Sequence, residues 1–568
     1  MKLAYFVSLL IFLLALACGA KNDHTSIKLD QVGYPVDAAK IALVSAPART
    51  FQVKRAGDNA VMLEGELSAR ATDGNSGDQV QAADFSALRS SGTYYLEVPG
   101  VGRSWTFSIA PDVFSRTYYL AMRAFYGQRC GTAVNLGPEF PGYTHAACHL
   151  VGSFHPSSGK QGRRDNVGGW HDAGDYGRYM VNSGIATGTL LWAWEMFGPK
   201  LRDIKLNIPE SGNGTPDILN EARWNLEWML EMQDDDGGAW HKQTSERFCH
   251  FVMPEDDHLP SEVIGTGKPP YKSTCATADL AAVAAITARL YQPFDKSFAA
   301  TNLRAAQEAW AWAQRYPDAT FLKNPPGIST GEYGDADCGD EQMWAAAELW
   351  RTTGEAQYHR YFLDHYAKYL PTLRALDTDT WRVVAPMGLW AYALAARPDA
   401  DSQALAEVRA AALAAARETV ERTRRNLYHV SLAAEDFQWG SNGLAANYGM
   451  ELLIANVLSP DRTFVETALD NLHYLLGRNT FSISWVTQVG EHPFRHPHHR
   501  PSGAGHRPWP GLLSGGPNAG RQDPVLKALP ADLPPAKVYS DAQGSYASNE
   551  VCINWQAMLV FLLAGVMK

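Results

Sequence analysis

Two hydrophobic patterns divide the chain near residue 112. From about Ile27 to Ile109, short runs of alternating apolar and polar residues are separated by clusters of Gly, Asp, Asn and Pro. Alternation of this kind is typical of strands that bury one face, so residues 26–110 are predicted to form a small β-sandwich. After Asp112, apolar residues recur at helical spacing in long segments rich in Ala, Leu, Trp and Tyr, which predicts an all-helical remainder.

Twelve helices are predicted in this second part. Their approximate bounds are 115–127, 183–198, 216–233, 275–291, 298–316, 339–353, 357–369, 386–396, 402–425, 442–458, 461–476 and 549–565. Taken in consecutive pairs, they form six hairpins that can close into a ring, with apolar helices inside and the long connections on one face. The connections at about 127–182 and 477–548 are too long to be simple links, and loops of that length usually carry function.

The N-terminus has the features of an export signal. Lys2 is followed by an apolar run from Leu3 to Ala17 and then by Cys18. The run is shorter than a bilayer-spanning helix, and the stretch LALAC resembles the lipobox of bacterial lipoproteins, whose cysteine becomes acylated and anchors the protein in the membrane. An ordinary cleaved signal is the alternative. Residues 1–18 therefore predict export, either to the bacterial cell envelope as a lipoprotein or by secretion.

Composition narrows the choice of partner. The chain has 50 basic and 60 acidic residues and a net charge of −10, which argues against binding to nucleic acid phosphates. It also has 17 tryptophans and 24 tyrosines, and exposed aromatic rings make flat platforms that suit sugar rings, although most of these rings belong to the core. These features favour a saccharide as the partner. The protein is expected to be a monomer.

The first long loop ends in a motif suited to hydrolysis. In GGWHDAGDYGRYM, Asp172 and Asp175 stand three residues apart, so both carboxylates can face one point. Hydrolysis of a glycosidic bond with inversion needs one carboxylate to take a proton from water and a protonated carboxyl on the other side of the sugar. The DAGD turn can supply the base, although Asp beside Gly more often shapes a turn or caps a helix.

The second long loop ends in YSDAQGSYASNEVCINWQA and offers the other carboxyl group. Glu550 is predicted at the start of an apolar helix, close to Asp541, Tyr546 and Asn549. A helix N-terminus stabilises an anion and lowers its pKa, which is the opposite of what a general acid needs. Glu550 can serve as the acid only if burial in a cleft or the nearby base outweighs that effect.

A cationic segment lies between these two motifs. GEHPFRHPHHRPSG carries four histidines and two arginines. Metal binding is one interpretation and a solvated surface is another, but arginines and prolines fit the binding of substrate hydroxyl groups better. The segment predicts a polar wall of the site.

Six cysteines remain once Cys18 is set aside, so an exported protein could form three disulfides. A different arrangement competes for two of them. The residues Cys130, Cys148, His149 and His171 offer two thiolates and two imidazoles, which suit a closed tetrahedral zinc site. Because His171 directly precedes Asp172, such a zinc would hold the catalytic loop without taking part in the reaction. We favour zinc over a disulfide between the two cysteines.

Two acidic loops resemble oxygen-rich cation sites, for which calcium is the expected ion. They are PESGNGTPDILNEA and GEYGDADCGDEQ. The candidate ligands are Glu210, Asn213 and Asp217 in the first loop and Asp337, Asp340 and Glu341 in the second. Helix capping without any ion is the alternative, because acidic residues are common at helix starts.

The order and spacing of the three motifs resemble glycoside hydrolase family 9, in the subgroup with an N-terminal immunoglobulin-like domain. The resemblance runs from about residue 26 to the C-terminus. It implies a mainly α fold, with an immunoglobulin-like β-sandwich at 26–110 and an (α/α)6 barrel at 112–568. It also implies inverting hydrolysis of β-1,4-glucosidic bonds in cellulose-type β-glucans or their oligomers.

The resemblance assigns roles residue by residue. Asp175 would be the base, Asp172 would help hold the attacking water, and Glu550 would be the acid. The residues expected to contact the sugar are His498, Arg500, Asp541, Tyr546, Trp439 and His241. Relatives hold zinc at the Cys and His set, and many bind calcium at the second acidic loop, where Asp340 and Glu341 are the better candidates.

Three positions depart from the family pattern while the catalytic carboxylates remain intact. Cys552 stands where Ser, Thr or Ala is usual, Gln556 where Asn is common, and His492 where a basic or amide residue is expected. These departures concern the substrate subsites and leave the chemistry in place.

An endo-acting or processive β-1,4-glucanase is the leading hypothesis. An exo-acting cellodextrinase or glucosaminidase of the same family is the alternative, which a lipid anchor favours slightly because a tethered enzyme meets soluble fragments more easily than fibre. A non-catalytic glycan-binding lipoprotein and a metallohydrolase built on the histidine run are alternatives from other classes.

Overall fold

A small β-sandwich is followed by a large helical body in the computed structural model, which describes residues 24–374 and 380–568. The predicted signal segment, 1–18, lies outside the described residues. The sandwich strands are β1 (Ile27–Lys28), β2 (Gly33–Tyr34), β3 (Ile41–Val44), β4 (Thr50–Arg55), β5 (Val61–Glu66), β6 (Ala71–Thr72), β7 (Gln79–Asp84), β8 (Gly92–Val98), β9 (Gly102–Arg103) and β10 (Phe107–Ile109).

These strands form two sheets with a common core. One sheet has the order β1-β3-β7-β6, and the other has the order β2-β10-β8-β4-β5 with β9 paired to β8. In β4, Phe51 and Val53 are buried while their neighbours are not, which is the predicted alternation. Phe51 and Val53 pack with Leu96 and Phe107 between the sheets.

Fifteen α-helices follow in the described residues. The long ones are α1 (Ser115–Gly127), α2 (Met180–Leu201), α3 (Asp217–Glu231), α4 (Thr274–Leu290), α5 (Lys296–Arg315), α6 (Gly339–Thr353), α7 (Ala356–Arg374), α8 (Ala385–Ala393), α9 (Ser402–Arg425), α10 (Ser441–Leu458), α11 (Arg462–Leu475) and, at the C-terminus, α15 (Ile553–Val566). Three short helices, α12 (Arg500–Ala504), α13 (Pro524–Lys527) and α14 (Tyr546–Asn549), lie in the second long loop. All twelve predicted helices are thus present.

The twelve long helices alternate between an inner and an outer ring. The inner helices α2, α4, α6, α8, α10 and α15 are buried over most of their length, whereas the outer helices α5 and α9 bury a single face. A helix that is apolar on all sides must be surrounded by protein, and an amphipathic helix can face water on one side. None of the helices in the described ranges is both long and apolar enough to cross a membrane. The predicted mainly α fold, an (α/α)6 barrel preceded by a β-sandwich, is confirmed.

Six short strands lie in the barrel loops. They are β11 (Val134–Asn135), β12 (Thr144–His145), β13 (Gly152–Phe154), β14 (Arg178–Tyr179), β15 (Lys242–Thr244) and β16 (Ser261–Ile264). The last four form one sheet in the order β13-β16-β15-β14. This sheet joins the end of the first long loop to the loop that follows α3, so it helps to shape one end of the barrel.

Buried polar contacts join the sandwich to the barrel. The Asp30 carboxylate lies 2.7 Å from Nδ1 of His473 in α11. Lys28 Nζ donates to the Thr480 carbonyl at 2.7 Å, and Gln31 Nε2 donates to the Ser482 carbonyl at 3.0 Å. Because buried polar groups are costly without partners, these contacts favour one docking geometry.

One disulfide is present in the described part of the chain. It joins Cys275, at the start of α4, to Cys338, just before α6. The other described cysteines, Cys130, Cys148, Cys249 and Cys552, are free. The three-disulfide alternative is therefore wrong, because the remaining thiols take part in other contacts.

Candidate active site

The three segments singled out in the sequence meet at one end of the barrel. The Ile553 N–H donates to the Asp172 carbonyl at 2.9 Å, which joins α15 to the DAGD loop. The His498 N–H donates to the Asn549 carbonyl at 2.8 Å, and residue 498 forms a parallel bridge with Glu550. The DAGD loop, the histidine segment and Glu550 therefore share one site, as the motifs predicted.

Gly174 allows the close approach of two of these segments. A Cβ atom at position 174 would lie 2.0 Å from the His498 carbonyl oxygen, which is far inside van der Waals contact. The Arg500 guanidinium donates through Nη1 to the Gly174 carbonyl at 2.6 Å, and the Arg500 N–H donates to it at 3.1 Å. The glycine between the two aspartates is thus required by the contact with the histidine segment.

Asp172 is 1% exposed and both of its oxygens accept hydrogen bonds. Asn182 Nδ2 donates to Oδ1 at 2.7 Å, and the Tyr333 hydroxyl donates to Oδ2 at 2.6 Å. Burial, with the nearby Asp175 charge, raises the pKa of Asp172 to about 8. The two donors fix the orientation of this carboxyl group.

Asp175 lies beside Asp172 but has different neighbours. Its Oδ2 accepts from the Gly177 N–H at 2.9 Å and from the Tyr179 hydroxyl at 3.3 Å. Burial raises the pKa of Asp175 above its usual value, while the Arg500 guanidinium and the two donors oppose that rise. Asp175 is therefore the one of the two carboxyl groups that a cation and two donors stabilise as an anion.

Glu550 lies outside the helix on which it was predicted. It caps the end of the short helix α14 in an extended conformation, with φ −71° and ψ 159°, whereas α15 begins only at Ile553. The predicted helix start at 549 is wrong, so the expected effect of the helix dipole falls away, because that effect is confined to the first turn. Burial raises the pKa of Glu550 well above its usual value, the Asp175 charge adds to this, and Arg500 only partly opposes it.

A row of rings runs alongside Glu550. Trp439 is 41% exposed, and its ring centroid lies 5.7 Å from that of Tyr546. The Tyr546 ring lies 5.9 Å from His498, which lies 5.1 Å from Phe251. Three of the residues predicted to contact the sugar are thus brought together. Phe251 was not predicted, since nothing in the surrounding sequence FCHFVMP marks it as a residue of the site.

Arg500, Asp541 and His241 are held by protein groups. Besides Gly174, Arg500 donates through Nε to the Cys249 carbonyl at 3.1 Å. Asp541 accepts the backbone N–H groups of the segment 495–496, each at 2.8 Å, and so shapes the start of the histidine segment. His241 is 1% exposed, lies 2.9 Å from the Glu332 carbonyl through Nε2 and stacks on a Phe ring at 3.9 Å. Asp541 and His241 therefore contribute to the shape of the site through neighbouring backbone.

Several residues of the site escaped the sequence motifs. Asn182, from α2, and Tyr333, from the loop before α6, both hold Asp172. The Tyr333 ring lies 4.5 Å from that of Tyr179 and 5.0 Å from that of Trp381. Tyr333 is 161 positions away from Asp172 along the chain, so no local pattern could link the two.

Four predicted metal ligands form one cluster beside the DAGD loop. Cys130 Sγ lies 3.7 Å from His149 Nδ1, and Cys148 Sγ lies 3.7 Å from His171 Nε2. All four donor atoms lie within 4.8 Å of one another. Tetrahedral zinc, with bonds of about 2.3 Å to sulfur and about 2.0–2.1 Å to nitrogen, needs S···N separations of roughly 3.6 Å. The donor set therefore fits a zinc ion.

The two acidic loops have other partners in the described residues. In the first, both Glu210 oxygens accept from Arg129, at 2.9 and 3.1 Å. Asp217 accepts from the Leu206 N–H at 2.7 Å, and Asn213 pairs with an amide of α3.

In the second loop, Asp337 is exposed and pairs with Lys368 at 2.8 Å. Asp340 accepts the Val384 N–H at 2.9 Å, whereas the two oxygens of the buried Glu341 receive no N–H or O–H donor. Among the described residues, the trio Asp337, Asp340 and Glu341 is not one of the close groups of donor side chains.

Comparison with known proteins gives matches along nearly the whole chain. The family profile described as Glycosyl hydrolase family 9 matches residues 114–563, and the profile described as Cellulase N-terminal ig-like domain matches residues 22–103. Endoglucanase D of Acetivibrio thermocellus is 36% identical over 544 residues, which cover 95% of this chain and 83% of that protein. A cellodextrinase of Butyrivibrio fibrisolvens is 33% identical over 562 residues, covering 95% of this chain and all of that protein.

A solved structure shares the fold. It is a zinc-binding triple mutant of a glycoside hydrolase family 9 endoglucanase, with a TM-score of 0.87 and 35% sequence identity. The match covers 94% of this chain and 99% of that one.

Proposed function

Because the chain belongs to glycosyl hydrolase family 9, we propose that it hydrolyses β-1,4-glucosidic bonds in cellulose-type β-glucans with inversion at the anomeric carbon. The single observation that carries this proposal is the convergence of Asp172, Asp175 and Glu550 on one site beside a row of aromatic rings. Two carboxyl groups with different protonation, placed around one sugar, are what inverting hydrolysis needs.

The neighbours of each carboxyl group support its proposed role. Asp175 takes a proton from the attacking water, since Arg500 and two hydrogen-bond donors favour its anionic form. Asp172, held by Asn182 and Tyr333, orients the same water. Glu550, whose pKa burial raises, stays protonated and delivers its proton to the leaving oxygen.

The row of rings from Trp439 to Phe251 supports a saccharide substrate. Sugar rings stack on exposed aromatic faces, and their hydroxyl groups can reach His498 and Arg500 beside Glu550. We propose endo action, as in the related endoglucanase, with a cellodextrinase as the alternative because the relative with that activity matches over its full length.

Endo action predicts a fast loss of viscosity. The purified protein should lower the viscosity of carboxymethyl cellulose well before reducing ends accumulate, because cuts inside a chain shorten it sharply. Proton NMR of cello-oligosaccharide hydrolysis should show the α-anomer first, as inversion of a β-linkage requires. Mixed-linkage glucan, xyloglucan and chitosan oligomers, assayed in parallel, would define the substrate range.

Two results would contradict this proposal. Release of terminal units without a viscosity drop would leave the exo-acting cellodextrinase, or a glucosaminidase if chitosan oligomers are cut. A β-anomer as first product would exclude the inverting mechanism.

We also propose that zinc is a structural cofactor held by Cys130, Cys148, His149 and His171. The matching donor distances support this, and so does Asp257, whose carboxylate lies 3.3 Å from His149 Nε2 and leaves Nδ1 facing the other donors. A bound zinc ion would crosslink these four side chains rigidly. His171 adjoins Asp172, so its ligation would fix the start of the DAGD loop.

Loss of a zinc ligand should cost metal content and stability together. Cys148→Ser is expected to lower the zinc content from about one per chain to near zero and to lower Tm by several degrees, because the binding energy of a structural zinc adds to folding. Elemental analysis and differential scanning calorimetry would measure both.

The matched control for this variant is Cys552→Ser, which removes a buried free thiol that contacts Asn182 and lies outside the set. A protein purified without metal chelators that carries no zinc, with unchanged Tm in Cys148→Ser, would rule out the structural zinc.

Calcium and the membrane anchor remain proposals. The unpaired buried oxygens of Glu341 support a cation at the loop before α6, where calcium is the expected ion. Export, with a lipid anchor at Cys18, is supported by the N-terminal sequence and by the Cys275–Cys338 disulfide, since disulfides persist in oxidising compartments.

A further inference from the structure

Lys242 is a fully buried lysine next to the base side of the site. It lies on β15, directly opposite Tyr179 of the antiparallel neighbour strand β14. The Tyr179 hydroxyl donates to Asp175, and Lys242 Nζ lies 5.5 Å from the centroid of the Tyr179 ring. The Tyr179 side chain therefore lies between Lys242 and the proposed base, Asp175.

The Lys242 ammonium group binds a single loop. It donates to Asn324 Oδ1 at 2.6 Å, to the Gly331 carbonyl at 2.6 Å and to Thr330 Oγ1 at 3.2 Å. An ammonium group has three N–H donors, so three acceptors satisfy it fully. The loop continues to Tyr333, whose hydroxyl holds Asp172 at 2.6 Å.

The charge of Lys242 has no close counter-ion. Its three acceptors are neutral, and no ion pair in the described ranges includes it. Burial lowers the pKa of Lys242 to about 7, and the charges that oppose this are first Asp175 and then Glu332. A buried ammonium without an ion pair is costly, so a lysine at this position beside a carboxylate points to a role there.

We propose that Lys242 is a positioning residue of the catalytic centre: it holds the segment 324–333 against the base loop and places a positive charge on the Asp175 side of the site. This inference rests on the proposed function, because Lys242 acts through Asp175 and through the loop that carries Tyr333.

The charged and titratable groups around Asp175 and Lys242 determine in which direction the pKa of Asp175 should change when the lysine is replaced. The groups that face Asp175 are Arg500, Tyr179, Asp172 and Glu550. Glu332, His241 and Tyr179 surround Lys242. Removing the Lys242 charge leaves Arg500 as the cation acting on Asp175, so the anion becomes less stable and its pKa rises. Because the base must be ionised, the acidic limb of the pH profile should move to higher pH.

Lys242→Met tests both parts of the inference. We expect kcat/KM on cellotetraose to fall about tenfold at the optimum and the acidic limb to move up by about one pH unit. Asn324→Ala removes one acceptor but keeps the charge, so it should lower kcat several-fold without moving the limb. The control is Lys272→Met, because Lys272 is also buried but pairs with Asp234 and Asp236, and its acidic limb should stay in place.

An unshifted acidic limb in folded Lys242→Met would overturn the proposal, as would a limb that moves equally in Lys272→Met. If Lys242→Met does not fold, Lys242→Arg replaces it: the charge is retained, so the limb should stay in place, and a shift would count against the proposal. Wild-type protein that cuts no β-1,4-glucan would refute the proposed function itself. An active wild type with an inactive Asp175→Asn and an unshifted Lys242→Met would refute only this inference.

Discussion

Asp175→Asn should lower kcat/KM on cello-oligosaccharides by roughly 10³- to 10⁴-fold, which is the upper range for loss of a general base. The amide keeps the size of the side chain and can still meet the Gly177 N–H and Tyr179 O–H through its oxygen, but it cannot take a proton from water. Substrate binding should change little, so the loss belongs to kcat. Steady-state kinetics with reducing-sugar detection, together with isothermal titration using cellotetraose, would separate the two.

A matched control comes from the same long loop. Asp165 pairs with Arg163 on the surface, at 2.7 Å, so Asp165→Asn changes one carboxylate without touching the site. We expect its kcat to stay within twofold of wild type. If Asp175→Asn keeps more than a tenth of wild-type kcat, Asp175 is not the base, and Asp172→Asn becomes the variant to measure.

Glu550→Gln is expected to have the second large effect, and it should depend on the leaving group. Without an acid to protonate the departing oxygen, kcat on cello-oligosaccharides should fall roughly 10²- to 10⁴-fold. A dinitrophenyl cellobioside needs no proton to leave, so its hydrolysis should fall less than about tenfold. Parallel kinetics on the two substrates would measure the difference.

The pH dependence of activity gives an independent test of Glu550 as the general acid. A general acid works while protonated, and burial raises the pKa of Glu550, so wild-type activity should persist to higher pH than an ordinary glutamic acid would allow and fall as pH rises through that pKa. In Glu550→Gln this alkaline limb should disappear, while the acidic limb set by Asp175 remains. Glu491→Gln, in the same long loop and paired with Thr106, should behave as wild type. Equal losses on both substrates would argue against the acid role.

The helix bounds show how accurately local sequence patterns predict secondary structure. The predicted bounds 339–353 and 402–425 coincide with α6 and α9, because helical periodicity meets a clear boundary signal at the end of α6 and at the start of α9. Asp401 caps α9 by accepting the Ala404 N–H, and Gly354 ends α6 in a left-handed conformation. The start of α15 was predicted four residues too early, because the apolar run begins before the backbone turns helical.

Motifs located the reactive groups but not their supports. DAGD and the glutamate before the last helix are recognisable because each is a compact pattern in one loop. Tyr333, Asn182 and Lys242 come from three separate parts of the chain, and each is unremarkable among its sequence neighbours. Their roles depend on hydrogen-bond partners that only the folded chain brings next to them.

The sequence by itself determined the two-part architecture, the twelve long helices, the DAGD and Glu550 motifs and the zinc-type donor set, because these depend on local periodicity and on residue type. Only the tertiary structure decided which acidic residues are partnered, such as Asp337 with Lys368, and how burial raises the pKa of Glu550. The physical reason is that desolvation and Coulomb interactions depend on distances through space, which residues far apart in the chain acquire only when the barrel closes.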